Sequence, residues 1–345
     1  MGLLRGVMRR ERHHEPAAPE GPTVEPFDVL SEEIAKLTAE NRRARDRAVE
    51  RRLVALRHDA GIAATREASG SGGLAAPDAE GLRTEQPISE VAPESLTPGN
   101  LRAGILRSGC VLVRQLIPAA EATAFADQIQ RGWEARERLR LEGTDPDGYY
   151  EEWDPKVGTG VIGRPWLEKG GNFLAGDSPR MLFEMLELFE RANLLPVVAG
   201  YLGERPLISL HKSTLRRADP RVAGRWHQDG KFMHVRALNL WMALSSCGAD
   251  APGLDIYPGR LEDFLPTGTD DAPNDWTIAQ RQVDEAVGSD SIVRPLFEPG
   301  DAIFFDELFL HQTATDPAMT RPRYAIENWF FGASQFPQDY APLAL

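Results

Sequence analysis

Apolar positions fall into two regimes along the chain. Leu30, Ile34 and Leu37 follow i, i+4, i+7 spacing, the period of an amphipathic helix. Asp28 or Ser31 supplies a start signal, with Glu32 and Glu33 in the first turn. The pattern predicts a basic amphipathic helix over 28–66. It contains ENRRARDRAVERRLVALRH, with seven arginines between Arg42 and Arg57. Before it, residues 1–27 are rich in Pro, Glu and Arg and read as a disordered tail. After it, 67–99 mix Gly, Ser, Pro and Glu without periodicity and read as a flexible linker. The folded unit is therefore expected over 100–345.

Within that unit, GCVLVRQL (109–116) is an apolar run suited to a buried strand, and AAEATAFADQIQRGWEARERLRLE reads as a helix. A second helix starts at Asp177-Ser178-Pro179, with Leu182, Met185, Leu186 and Phe189 on one face. After Pro206 short segments rich in branched and aromatic residues recur between Gly, Pro and Asp: LISLHKSTL, RALNLWMALS, GLDIYPG, SIVRPLF, DAIFFDELFL and RPRYAIENWFF. Many short strands with turn signals between them predict a sandwich or barrel-like double sheet. No strand–helix alternation calls for a parallel doubly wound sheet, and no GxGxxG or P-loop opens a helix.

Composition narrows the function classes. A formal charge of −13 over 345 residues argues against nucleic acid or an anionic membrane as the main partner. No apolar run approaches the ~18 residues of a membrane span. The N-terminal residues do not read as a secretory signal, so the cytoplasm is expected. Cys110 and Cys247, the two cysteines, form neither a disulfide framework nor a zinc site; they are expected as reduced, buried thiols. The basic helix is either a solvated helix laced with charge pairs or a docking surface for a protein partner.

His227-Gln228-Asp229 is an H-x-D, and His311 follows 84 positions after His227. Two histidines and one carboxylate form the facial triad of non-haem iron(II), which leaves the opposite face open for a bidentate oxo acid and dioxygen. In extended chain, residues i and i+2 point the same way. An H-x-D therefore chelates one ion from one side of a sheet, with the third ligand coming from a neighbouring strand. An H-x-acid alone is a weak motif: His13-His14-Glu15 in the tail is another. The context of His227, between strand-like segments, separates the two. His211 and His234 are the competing histidines. Arg323, twelve residues after His311, starts the last long strand-like segment and suits the far carboxylate of an oxo diacid.

At this point the sequence resembles the phytanoyl-CoA dioxygenase family of 2-oxoglutarate-dependent oxygenases. The motifs that carry the resemblance are WHQDG (226–230), NLWMAL (239–244), APGLDIYPG (251–259), EPGDAIFF (298–305), HQT (311–313) and RPRYAI (321–326), together with the strand containing LHKS (210–213). It covers about 100–335. It implies a double-stranded β-helix core (jelly-roll, cupin-like), mostly β with flanking helices. It implies His227, Asp229 and His311 as ligands of Fe(II), with 2-oxoglutarate and O2 as co-substrates. Arg323 would then hold the 5-carboxylate, with Arg321 as its competitor. Thr313, Gln228, Trp241 and Ser213 would line the co-substrate pocket.

Related halogenases replace the triad carboxylate with a small residue; with Asp229 present, this chain resembles the hydroxylating branch. Two positions depart from the family pattern: Arg260-Leu261 stands where Ser-His is common, and ATDPAMT where an Asn is common. The expected activity is oxidation of a small-molecule C–H bond with release of succinate and CO2. The alternatives are desaturation, cyclisation or halogenation on the same parts, or a non-catalytic ligand- or partner-binding barrel. Lys212, Arg216, Arg217 and Arg225 form a basic cluster that is either solvated or directed at an acidic substrate group. Asp306 and Glu307 are expected at the solvent and the rim. The segments 148–160 and 270–282 read as rim material.

Overall fold

The computed structural model describes residues 22–345 apart from 71, 146, 159–162, 223, 234 and 270. Most of the tail expected over 1–27, and His234, lie outside the described residues.

The chain begins with two helices, α1 (Phe27–Arg43) and α2 (Arg47–Glu67), where one had been expected over 28–66. The break is local chemistry. The Asp46 carboxylate accepts the N–H groups of Ala48 and Val49 and so starts a new helix. The apolar faces of both helices are covered by the protein itself: Leu30, Ile34, Leu53, Leu56 and Ala60 pack with Phe183, Leu207 and Ala344. Some arginines of this segment pair within it, Arg45 with Glu50 and Arg52 with Glu33, and others with carboxylates elsewhere in the fold, Arg42 with Glu187 and Glu190 and Arg51 with Glu151. Arg57 is buried and donates to the Ala344 carbonyl at 3.0 Å.

Residues 67–99, expected as a flexible linker, instead contain β1 (Ser89–Val91), which pairs in parallel with β2 (Cys110–Val113). A three-residue edge strand is too short to show a period. Between them lies α3 (Pro98–Ser108), opened by a Thr97–Asn100 capping box and closed by Gly109 at φ 72°. Next come α4 (Ala119–Glu142), α5 (Arg164–Lys169), β3 (Phe173–Leu174), α6 (Pro179–Arg191) and α7 (Leu194–Leu202). The Ser178 side chain caps α6 at Met181.

The remainder is sheet: β4 (Pro206–Ala218), a short α8 (Gly230–Met233), β5 (Ala237–Ala243), β6 (Gly253–Ile256), α9 (Gln280–Val287), β7 (Ala302–Asp306), β8 (His311–Ala314), β9 (Arg323–Gly332) and β10 (Pro342–Ala344). The large sheet runs β1-β2-β7-β5-β9-β4-β10, with β3 added to β4. A small sheet pairs β6 with β8, and single bridges extend it to His227 on one side and Val293 on the other. SIVRPLF contributes only such bridges. The fold is thus sheet-rich with flanking helices, and every pair in the large sheet except β1–β2 is antiparallel.

Strand alternation divides the apolar residues in two. Leu215, Leu240, Phe304 and Ile326 face the helices. Trp241, Ile303, Phe305, Ala325 and Trp329 face the small sheet's Leu254 and Ile256. Cys110 and Cys247 are free and buried, and burial pushes the Cys247 thiol up to about 12. Among the described residues no helix is long and apolar enough to cross a membrane.

Because α2 belongs to this packing, Leu56→Ala is expected to lower unfolding stability by about 2–5 kcal/mol, the cost of a core truncation. Urea denaturation of the full chain measures it; a loss below about 0.5 kcal/mol would mean that the helix is a surface appendage.

Candidate metal centre

Residue 227 meets residue 311 through the backbone. Each N–H donates to the other's carbonyl, at 3.1 and 3.2 Å. That bridge brings the two imidazoles to 4.3 Å between ring centres. Asp229 follows on the same side: its carboxylate oxygens lie 4.0 Å from His227 Nε2 and 3.9 Å from His311 Nε2. One ligating atom from each of the three residues lies within 4.8 Å of the others, and no other such group occurs among the described residues. Two nitrogens and one carboxylate converging from one side are the donor set of a facial triad.

The tautomers follow from the partners. His227 Nδ1 is 2.6 Å from the Arg225 carbonyl and His311 Nδ1 is 3.2 Å from that of Phe309. A carbonyl only accepts, so each Nδ1 carries the proton and each Nε2 presents a lone pair to the shared centre. Burial, reinforced by His227, pushes His311 down to about 3; burial lowers His227 as well. Burial alone would raise Asp229, but Lys212, the two histidines and Arg216 together outweigh it and keep the carboxyl below its usual range. Lys212 Nζ lies 3.8 Å from the Asp229 carboxylate.

Deeper between the sheets lies a set of buried polar atoms with no hydrogen-bond partner among the described residues: Arg323 Nε and Nη1, Trp241 Nε1, Thr214 Oγ1, Arg216 Nε, Trp329 Nε1 and both amide atoms of Asn239. Arg323 is 1% exposed, its guanidinium 5.0 Å from the Trp241 ring centre. Burial and the nearby Arg216 push it down to about 9. Arg321, the alternative, pairs with Asp250 at the surface. Arg216 forms an ion pair with Glu327. Leaving buried donors unpaired costs about 1–3 kcal/mol each, so this interior suits a ligand that brings acceptors, above all a carboxylate opposite Arg323. Thr313, two positions after His311 on β8, is on the same strand face as that histidine.

Ser213 and Gln228, both expected at the pocket, turn their polar groups elsewhere. Ser213 is in register with Asn328 and donates to its Oδ1 at 2.6 Å, on the face turned to the helices. Alternation gives the interior to Lys212, Thr214 and Arg216 instead. Gln228 is buried but spends its amide on the chain: it donates to the carbonyls of Leu308 (2.8 Å) and Asp263 (3.3 Å) and accepts from Leu265 N–H (2.8 Å). Asp306 and Glu307 are not solvent-facing. Asp306 is 2% exposed and takes Arg260 Nε at 2.7 Å, while burial and Asp306 raise Glu307. The basic cluster splits: Arg217 lies over Trp133 outside the sheets and Arg225 is exposed.

Of the other residues at the centre, Trp276 lies in the 270–282 segment read as rim material, while Tyr340 gave no sequence signal. Tyr340 stacks on His211 at 5.2 Å, and burial, with Asp229 nearby, raises its phenol. Trp276 stands edge-on to His227 at 6.0 Å. His211 is no ligand; its Nδ1 accepts the Ala341 N–H at 3.2 Å. Parity on β4 and β5 singles out Lys212, Thr214 and Asn239, but only once the inward face is known.

A model of the phytanoyl-CoA dioxygenase family matches residues 105–316. No curated protein matches the chain. Among solved structures, EctD from S. alaskensis with 2-oxoglutarate and 5-hydroxyectoine is 19% identical over 78% of this chain and 86% of that one, with a TM-score of 0.45. EvdO2 from Micromonospora carbonacea var. aurantiaca complexed with 2-oxoglutarate is 18% identical over 71% and 91%, with a TM-score of 0.43. The epimerase SnoN in complex with Fe3+, alpha ketoglutarate and nogalamycin RO is 17% identical over 67% and 82%, with a TM-score of 0.42.

Burial holds His211 down at about 4, so the folded chain keeps it neutral while the unfolded chain protonates it near 6.5. The unfolded state then binds more protons, and stability falls as pH drops from about 6.5 towards 4. His211→Phe is expected to flatten that slope, as measured by urea midpoints across the range; an unchanged slope would show that His211 does not contribute to it.

Proposed function

The chain belongs to the phytanoyl-CoA dioxygenase family, and from that premise we propose that it is a non-haem oxygenase that hydroxylates a small-molecule metabolite on a double-stranded β-helix core. Iron(II) is its metal and 2-oxoglutarate its co-substrate. The observation that carries the reading is the pairing of a convergent His227–Asp229–His311 set with a buried Arg323 whose Nε and Nη1 have no partner among the described residues.

His227, Asp229 and His311 would hold iron(II) through Nε2, a carboxylate oxygen and Nε2. Both histidines are kept neutral by burial and oriented by backbone carbonyls, so they bind without proton competition near pH 7. Arg323 would take the far carboxylate of 2-oxoglutarate with its planar fork. The Trp241 indole N–H and the Thr214 and Thr313 hydroxyls are the neighbouring donors. The Glu327 carboxylate offsets Arg216, leaving Arg323 as the cation directed at the co-substrate. Bound there, iron(II) and 2-oxoglutarate supply the dioxygen activation that oxidation of a C–H bond requires, with succinate and CO2 as the other products. The apolar walls of Phe305, Phe309 and Trp329 keep bulk water from the centre. Asp229 fills the position that halogenation needs open, which favours hydroxylation. The substrate side is framed by Lys212, Tyr340 and Trp276, a mixture suited to a small molecule.

Anaerobic titration of the protein with iron(II) and 2-oxoglutarate is expected to give the weak visible charge-transfer band of the chelate. His227→Ala should abolish it. Arg323→Ala should raise the 2-oxoglutarate requirement by about tenfold or more, the loss of one to two charge-assisted hydrogen bonds. A folded wild-type protein without the band would overturn the oxygenase reading.

A further inference from the structure

The segment between β6 and β7 holds the metal-ligand turn on every residue around the two proximal ligands. Before His227, the Trp226 carbonyl accepts the Ile278 N–H at 2.9 Å, and the Trp226 indole N–H donates to Gln280 Oε1 at 2.9 Å. At His227 itself, Trp276 meets the imidazole edge-on at 6.0 Å. Between the ligands, Gln228 joins Asp263 and Leu265 through its donor and its acceptor. After Asp229, Gly230 comes so close to Phe264 that an added Cβ would lie 2.8 Å from its ring. The same segment builds its own apolar core, Ile278 and Val283, on Trp226 and on Leu310, the residue before His311.

We infer that this insert is the supporting shell of the metal ligands, with Gln228 as the positioning residue that links its folding to metal occupancy. The inference rests on the proposed function only in taking His227, Asp229 and His311 as a metal site. The physical argument is one of shared order. His227 and Asp229 sit in a short turn, so their side-chain directions depend on how firmly that turn is held. Partners that fix a metal ligand's orientation typically change metal affinity by about 10–100-fold when removed. Here those partners come from a segment whose described residues carry little regular structure beyond α9 and a 3-10 turn at Ser289–Ser291, and which depends on the turn in return. Coupling of this kind is reciprocal: if the ordered insert favours metal binding, bound metal favours the ordered insert to the same extent. Trp276 travels with the insert, so the wall beside His227 is completed together with the metal site.

Cobalt(II), which needs no oxygen or 2-oxoglutarate, tests this on the full chain. In wild type, hydrogen exchange over 261–267 and 274–292 should slow when cobalt is added, and His227→Ala should remove that slowing. Gln228→Ala should weaken cobalt binding by about tenfold or more, speed exchange in the insert, and leave β5 and β9 amides as protected as in wild type. Should Gln228→Ala fail to fold, Gln280→Ala decides. It removes an exposed side chain and is expected to weaken cobalt binding about two- to tenfold, the worth of one neutral hydrogen bond. Wild-type cobalt affinity in the folded Gln228 variant, or in the Gln280 variant where that one decides, would overturn the inference. So would insert exchange in wild type that ignores cobalt. An absent iron–2-oxoglutarate band beside cobalt-dependent exchange would sink the oxygenase reading and leave this one standing.

Discussion

The centre depends on one pair of backbone hydrogen bonds, between residues 227 and 311. They join a turn to the first residue of β8 across 84 positions of sequence. Side chains alternate on extended chain, so a slip of one residue in this pairing would turn His311 to the other face and leave Asp229 with a single histidine. The register is defended from several sides. β8 is paired with β6 over four residues, Gln228 ties the turn to the Leu308 carbonyl, and Gly230 N–H donates to the Glu307 carbonyl at 2.9 Å. The first fixes β8 itself, and the other two fix the turn relative to the chain just before His311.

The second constraint is electrostatic. The space between the sheets carries Lys212, Arg216, Arg323, Glu327 and several uncharged donors on faces otherwise made largely of Phe, Trp, Ile, Leu and Ala. Arg216 has its counter-charge in Glu327. Arg323 has none within hydrogen-bonding reach among the described residues, and its burial would be costly unless an anion completes it. A fold that tolerates such a group stores part of its ligand's binding energy as an unsatisfied site, a common arrangement where recognition must be specific.

Around this centre the supporting layers come from both ends of the chain. The α1–α2 pair covers β10 and α6, and His58 joins β10 to the 148–160 segment. Its Nδ1 lies 2.8 Å from the Pro342 carbonyl, and its Nε2 accepts the Lys156 N–H at 3.0 Å. Gly61 fits directly against Pro342, where a Cβ would come within 2.8 Å of the backbone. The first hundred residues thus include part of the packed body. Their charge pattern read as a free helix because carboxylates distant in sequence, such as Glu187 and Glu151, are invisible to a local count.

What the sequence determined by itself was the local chemistry. Short branched and aromatic segments between turn residues after Pro206 announced a sheet-rich fold, Ser178 and Pro179 announced α6, and the H-x-D with a distant histidine announced the metal set. These signals lie within a few residues, or in motif order, and need no knowledge of the partner strand. Tertiary structure alone decided which face each residue serves. Ser213 and Thr214 are neighbours of similar chemistry, yet one is spent on Asn328 and the other faces the interior, because β4 pairs with β9 in one register. Gln228 lies between two ligands but points away from them, as alternation in an H-x-D requires, and only the packed chain shows that its amide goes to Leu308, Asp263 and Leu265. Trp276 and Tyr340 reach the centre from segments without a period, where no rule of spacing applies. Local pattern records backbone preference; direction, and with it the composition of the site, is fixed only when distant strands come into register.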